Sequence, residues 1–206
     1  MSRLIAIADI HGEVHKLNNL LIKLKPQIDD TVVFLGDYID RGYYSKEVVE
    51  TLLQLSKTCH CEFLLGNHCY YLLKANEGND YFKSQFLEYG GLQTIDSYGS
   101  IDNIFKIHGD FFCSLKTYYL TDKFLFVHAG IRPDKPLEKQ ELEDFLFIRE
   151  NFFNHKHKLK QKVIFGHTPF ATPLVESDKI GIDLGVGKFP NAKLVAYICN
   201  ENRFVY

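Results

Sequence analysis

Short apolar runs rich in β-branched residues and phenylalanine recur along the chain, at residues 4–8, 31–35, 62–65, 124–127, 162–165, 179–182 and 193–199. They are too short for helices and too continuously apolar for strands with one wet face. That pattern predicts strands covered on both sides. Between the early runs the period changes. Val14, Leu17, Leu20, Leu21 and Leu24 fall on one face of a helix, and Val48, Val49, Leu52, Leu53 and Leu55 outline a second. Strand, helix, strand, helix, strand is the order of an α/β fold. From residue 69 to about 120 the pattern is helical and loop-like, punctuated by Gly90-Gly91 and Gly99, and predicts a lobe beside the sheet.

A chain of 206 residues has room for one large core but not for two typical domains, and no repeat, low-complexity tract or linker marks a boundary. Residues 1–206 are therefore read as one catalytic unit of layered α/β architecture. The formal net charge of −2 and the lack of any long charge run nominate neither nucleic acid nor membrane as a partner. The stretch at 155–162 is basic but lacks interleaved aromatics, so it reads as a solvated connector. The N-terminal segment lacks the apolar core of an export signal, and no run approaches the ~20 apolar residues of a membrane span. Five cysteines, an odd number without an export signal, are expected as reduced thiols. These features predict a cytoplasmic protein. Cys59-His60-Cys61 could suggest zinc, but has no second half at a usable spacing; it reads as the entrance to a buried strand.

The polar residues fall in a telling place. Asp9 and His11 follow the first apolar run, Asp37 the second, Asn67 and His68 the third, His128 the fourth and His167 the fifth. Ligand sites gather at the carboxyl ends of strands in α/β sheets, so five strand ends point to one crevice. Any one of these residues alone would be an ordinary turn cap or satisfied core group. Their recurrence after five apolar runs suggests a metal site. Asp, His and Asn suit manganese, iron or zinc, whereas an all-oxygen set would suit magnesium or calcium. A carboxylate can bridge two ions, and two ions ~3.5–4 Å apart can clamp a phosphoryl group and acidify water. Arg41 can bind phosphate oxygens bidentately. His68, beside Asn67, could protonate a leaving oxygen, with Asp40 holding its imidazole.

The blocks ADIHG, GDYIDRG, GNH, HAG and GHT resemble the phosphoprotein phosphatase family of calcineurin-like metallophosphoesterases, along nearly the whole chain. The resemblance implies two divalent ions, manganese first and iron or zinc as alternatives. It assigns one to Asp9, His11 and Asp37 and the other to Asp37, Asn67, His128 and His167. His68 matches the general acid, Asp40 its partner, and Arg41 a phosphate-binding arginine; Asn67 would also face the phosphate. Residues 147–150 resemble the segment that carries a second arginine, Arg149. Residues 90–99 and 128–138 look like the compact bacterial and bacteriophage lambda type. That group implies hydrolysis of phosphoserine, phosphothreonine and possibly phosphotyrosine by metal-activated water, on phosphoproteins, phosphopeptides or small phosphate esters. Symmetric diadenosine tetraphosphate hydrolysis is the alternative, and an inactive phosphate-binding scaffold a remoter one. Asp183, in a block similar to the family's IDTG, is left out of the site as structural. Two positions depart from the pattern. Ala8 replaces a glycine, which is harmless unless positive φ is needed. Cys69 replaces the glutamate of GNHE; its thiol reads as a buried helix residue, or as an acidified, oxidation-sensitive one if cations lie close.

Overall fold

The computed structural model describes residues 2–206. The first apolar run forms β1 (Leu4–Ile7), followed by α1 (Val14–Leu24), β2 (Thr31–Phe34), α2 (Ser45–Leu55) and β3 (His60–Phe63). Helix α1 buries Leu17, Leu20 and Leu24 and stops at Lys25, whose left-handed backbone donates its N–H to Leu21 O; Pro26 then prevents another turn. Arg3 ties this end down, donating to the Leu24 and Lys25 carbonyls and pairing with buried Asp30.

The predicted lobe consists of α3 (Asn67–Asn76), α4 (Asp80–Phe86), a π-helical turn (Leu87–Gly91), α5 (Leu92–Tyr98) and α6 (Ile101–Cys113). It ends sooner than the sequence suggests, because β4 (Tyr118–Leu120) already belongs to a sheet. The remaining strands are β5 (Phe124–Val127), β6 (Lys162–Phe165), β7 (Leu174–Val175), β8 (Lys179–Gly181), β9 (Ala196–Ile198) and β10 (Arg203–Val205). Short helices α7 (Leu142–Phe147) and α8 (Glu150–Phe153) cross between β5 and β6. No helix is long and apolar enough to cross a membrane.

The strands divide into two five-stranded mixed sheets, ordered β10-β9-β1-β2-β3 and β4-β5-β6-β8-β7. In the first, β1, β2 and β3 run parallel, while β9 pairs antiparallel with β1. In the second, β5, β6 and β8 are parallel and the edge strands β4 and β7 antiparallel. Ala6, Ala8, Val33 and Leu35 of one sheet share a buried cluster with Phe126, Ile164 and Ile180 of the other. The opposite face of the first sheet packs Ile5, Ile7, Val32 and Phe34 against α1, α2 and the lobe, and that of the second packs Leu125, Val127 and Phe165 against Phe145 and Phe152. Both faces of each central strand are thus dry. That explains the unbroken apolar runs. At ~1.5–3 kcal/mol per fully buried large side chain, these clusters hold the turns at the strand ends in place.

Two expectations change. The third strand pairs over His60–Phe63, two residues before the predicted run, because Leu64 and Leu65 continue the apolar stretch into the turn that leads to Asn67. The basic stretch at 155–162 is anchored as well as solvated: His157 is buried and donates from Nε2 to the Asp178 carbonyl, and fully buried Lys179 donates to the His155 carbonyl. Among the described residues the Cys59–Cys61 segment gathers no group of three candidate ligands; Cys59 and Cys61 pack into the core and His60 pairs with Glu62.

Candidate metal centre and catalytic cleft

The carboxyl ends of β1, β2 and β3 in one sheet and of β6 in the other open onto the same cleft, a cavity of about 310 Å³, and His128 after β5 lies fully buried against Asn67 and His167. The turns that carry the polar side chains are tight. Asp9, His11, Asp37, Asp40, Arg41 and His167 all have positive φ, a conformation that disfavours residues with a Cβ. Backbone bonds hold them there: the N–H groups of Ile10 and His11 both donate to Asp37 O at 2.9 Å. Ala8 is not among the positive-φ residues, so the glycine that alanine replaces is not needed. Gly66 is needed for a different reason, since a Cβ there would lie 2.1 Å from Asp37 Oδ1.

The predicted ligands come together. Two groups of candidate ligand atoms, His11-Asp37-His68 and Asp37-His128-His167, each fall within 4.8 Å and share Asp37. His11 Nδ1 faces the Ile39 carbonyl at 3.0 Å and His128 Nδ1 the Leu35 carbonyl at 2.9 Å. A carbonyl can only accept, so each Nδ1 carries the proton and each neutral ring presents a lone pair at Nε2. Burial, joined for His11 by the His68 ring, pushes the pKa of both histidines down, which keeps those lone pairs available. His128 Nε2 lies 3.0 Å from Asn67 Oδ1 and 3.4 Å from Asp37 Oδ2, while His167 Nδ1 lies 2.9 Å from the same Asn67 oxygen. His167 is likewise pushed well down by burial and by His128 and Arg149.

Two buried atoms in this cluster, Asp9 Oδ1 and His167 Nε2, have no hydrogen-bond partner. Buried polar atoms are ordinarily satisfied, and converging lone pairs of Asp, His and Asn, two of them unpartnered, form a cation's coordination set. The residues therefore fit a pair of divalent metal ions. The two carboxylates are perturbed in opposite directions. Burial, with the charges of Asp183 and Asp37, holds Asp9 well above the usual carboxylate range. For Asp37 burial acts in the same direction, but the encircling imidazoles of His128, His68, His11 and His167 outweigh it and hold the pKa below normal.

On one flank His68 Nδ1 donates to Asp40 Oδ2 at 2.7 Å, and Thr94 Oγ1 donates to the other Asp40 oxygen at 2.7 Å. Burial raises the Asp40 pKa, opposed by those two donors. Arg41 spans two rings, with Nη1 2.9 Å from His11 Nε2 and Nη2 3.0 Å from His68 Nε2. Its main-chain N–H donates to Gly90 O, which sits in the π-helical turn at φ 105°. Arg149 reaches the other flank from the start of α8, donating to the His167 carbonyl at 3.2 Å. Geometry groups His68 with candidate ligands as well as with Asp40; its Nε2 stands 3.9 Å from Asp37 Oδ2.

Cys69 is fully buried, and burial together with Asp37 and Asp40 pushes its thiol well up. It packs into the core as a small apolar residue, and the acidified-thiol alternative is removed. Tyr71 lines the cleft, whereas Tyr43 and Tyr44 are exposed away from it.

Sequence reasoning missed several cleft residues. Asp183 is buried at its wall, accepts from Gly185 N–H at 2.7 Å, and is pushed up to about 6 by burial and the charge of Asp37. Its IDLG block is the signal, which the resemblance assigns to a structural role. Tyr89, Phe147 and Lys188 also line the cleft, and nothing in their spacing marks them.

The calcineurin-like phosphoesterase family matches residues 2–206. Asymmetrical bis(5'-nucleosyl)-tetraphosphatase PrpE of Oceanobacillus iheyensis is 31% identical, over 97% of this chain and 89% of its own. Serine/threonine-protein phosphatase PP2A-like PPG1 of Saccharomyces cerevisiae is 30% identical over 62% of this chain and 33% of its own. A crystal structure of a protein provisionally named a diadenosine tetraphosphatase superposes with a TM-score of 0.71 at 21% identity, covering 99% of this chain and 92% of that one. A match from residue 2 to residue 206, on a fold whose strand ends gather this donor set, means that the chain belongs to the calcineurin-like phosphoesterase family and is a metallophosphoesterase.

Proposed function

We propose that this metallophosphoesterase cleaves dinucleoside polyphosphates, in the asymmetrical manner named for its Oceanobacillus iheyensis relative. The observation that carries the reading is the charge of the cleft. Arg41, Arg149 and Lys188 all line it, and none of the three is ion-paired with a carboxylate among the described residues. A single phosphoryl group is served by the two arginines, and a third free cation suits a longer phosphate chain. The sequence resemblance places phosphoserine and phosphothreonine hydrolysis first and symmetric cleavage second. The protein phosphatase reading keeps the support of the yeast relative, over a shorter stretch.

In the proposed reaction Asp9, His11 and Asp37 hold one ion and Asp37, Asn67, His128 and His167 the other, with manganese the first choice and iron or zinc the alternatives. When bound, such a pair neutralises phosphoryl charge and lowers the pKa of water so that it can attack phosphorus. The guanidinium of Arg41, with its main chain pinned to the Gly90 carbonyl, presents its fork to two phosphate oxygens; Arg149 orients the group from the opposite flank. Asp40 keeps the proton of His68 Nδ1 in place and turns Nε2 to the cleft, where it accepts from Arg41; once the guanidinium turns to phosphate, Nε2 is free to carry a proton, and the doubly protonated ring would pass it to the leaving oxygen. The two sheets share one buried cluster, which supports reading the chain as one catalytic unit.

The test is turnover of diadenosine tetraphosphate beside a phosphoserine peptide by manganese-loaded protein. ATP plus AMP is the expected product pair. Two molecules of ADP would indicate symmetric cleavage, and a higher kcat/KM on the peptide would restore the protein phosphatase reading.

A further inference from the structure

The geometry points to a subsite for a nucleobase on the leaving-group side of the cleft, built by the stacked rings of Tyr71 and Tyr89; it rests on the phosphohydrolase reading above. The side is set by His68. A group that protonates the leaving oxygen must stand next to it, so whatever that oxygen carries extends past the His68 ring. Two aromatic rings lie there, Tyr89 with its centroid 6.2 Å from His68 and Tyr71 at 6.3 Å.

The two tyrosines stack on each other, with centroids 5.8 Å apart and planes 17° from parallel. One end of the stack is closed. Tyr71 is only 9% exposed and is backed by Phe147 at 5.7 Å and Phe82 at 6.0 Å, so it is a fixed platform. The other end is open, for Tyr89 lines the cleft and keeps 43% of its surface exposed. An aromatic face left wet at the end of an ordered stack is where a further ring gains most by stacking. The platform is also tied to the phosphate side. Tyr89 lies in the turn Leu87–Gly91, whose Gly90 carbonyl accepts the Arg41 N–H at 3.1 Å.

A phosphotyrosine ring is bonded directly to its leaving oxygen, carries a single phosphoryl group and has no use for Lys188. A nucleobase is separated from the reacting phosphorus by ribose and further phosphates, so that it can reach the tyrosines while the chain runs past the cations. The nucleobase is the occupant that both features accommodate.

The test uses the full-length, manganese-loaded protein and reads binding rather than turnover. Calorimetry would compare AMP with ribose 5-phosphate, which has the same sugar and phosphate but no base. AMP is expected to bind about 5- to 150-fold more tightly, the equivalent of the ~1–3 kcal/mol found per stacked base. Tyr89→Phe should keep that preference and Tyr89→Ala should remove most of it; Tyr89→Leu serves the same purpose if the alanine variant does not fold. Equal binding of AMP and ribose 5-phosphate by the wild type would overturn the subsite. So would an AMP preference that survives loss of the ring, or a Tyr89-dependent preference for phosphotyrosine over phosphoserine that exceeds the one for AMP. If AMP is preferred through Tyr89 yet diadenosine tetraphosphate is not cleaved, the proposed substrate fails while the base subsite stands.

Discussion

Replacing Asp183 by asparagine should stabilise the metal-free protein. Asp183 is buried beside Asp9 and Asp37, and its pKa is raised from 3.8 to about 6. Between those values the folded protein holds a proton that the unfolded chain has released, so this group's contribution to stability is lost as pH rises through the window. Above about pH 6 the full penalty is in place, about 3 kcal/mol at 1.36 kcal/mol per unit. Asparagine keeps an oxygen for the 2.7 Å bond from Gly185 N–H and has nearly the same volume, so little packing is disturbed. The assay is urea unfolding of wild type and Asp183→Asn in EDTA at pH 4, 6 and 8. A gain of about 3 kcal/mol at pH 8 that shrinks towards zero at pH 4 is expected. With manganese the ranking should narrow or reverse, since the lost charge also helps to attract the cations. A variant no more stable than wild type at pH 8 in EDTA would refute the electrostatic account of this wall.

Chelation should abolish phosphohydrolase activity and manganese should restore it, measured with an aryl phosphate before and after EDTA dialysis. Gly66→Ala would drive a methyl group against Asp37 and should lower metal affinity ~10–100-fold, read by metal content after gel filtration with circular dichroism to confirm folding. Thr94→Val removes a donor from buried Asp40 and should cost ~1–3 kcal/mol of stability in urea melts, with a fall in kcat larger than any change in KM. Native-state alkylation should label exposed Cys113 at once and leave Cys69 untouched until the protein is unfolded, as mass spectrometry of peptides would show.

The sequence revealed what many residues repeat and concealed what pairs of residues do. Strands buried on both faces wrote unbroken apolar runs, and five of those runs ended beside a polar residue of the site, so β1, β2, β5 and β6 and their candidate ligands were legible together. Three strands were not. Tyr118–Leu120 and Arg203–Val205 lie at sheet edges with partly exposed side chains, and Leu174–Val175 is two residues long, so none carries enough buried surface to impose a pattern. The Asp40–Thr94 bond joins residues 54 apart, and the stack of Tyr71 on Tyr89 depends on the angle between α3 and the π-helical turn. Such contacts come from tertiary packing and leave no period in the chain. Asp183, left out of the site because the resemblance implies a structural role for its block, becomes conspicuous only when the fold buries it in the cleft wall within reach of the charge of Asp37.

The division of the candidate ligands between two sheets would give a pair of bound ions unequal mechanical roles. Asp9, His11 and Asp37 all follow strands of the first sheet, whereas Asp37, Asn67, His128 and His167 draw on both. An ion in the second group would be a rivet through the sandwich, and one in the first an ornament on a single layer. Prising the layers apart would have to break the rivet, so metal at that position should lengthen the lifetime of the folded state against pulling or proteolysis. The other ion could come and go while the sandwich stays shut.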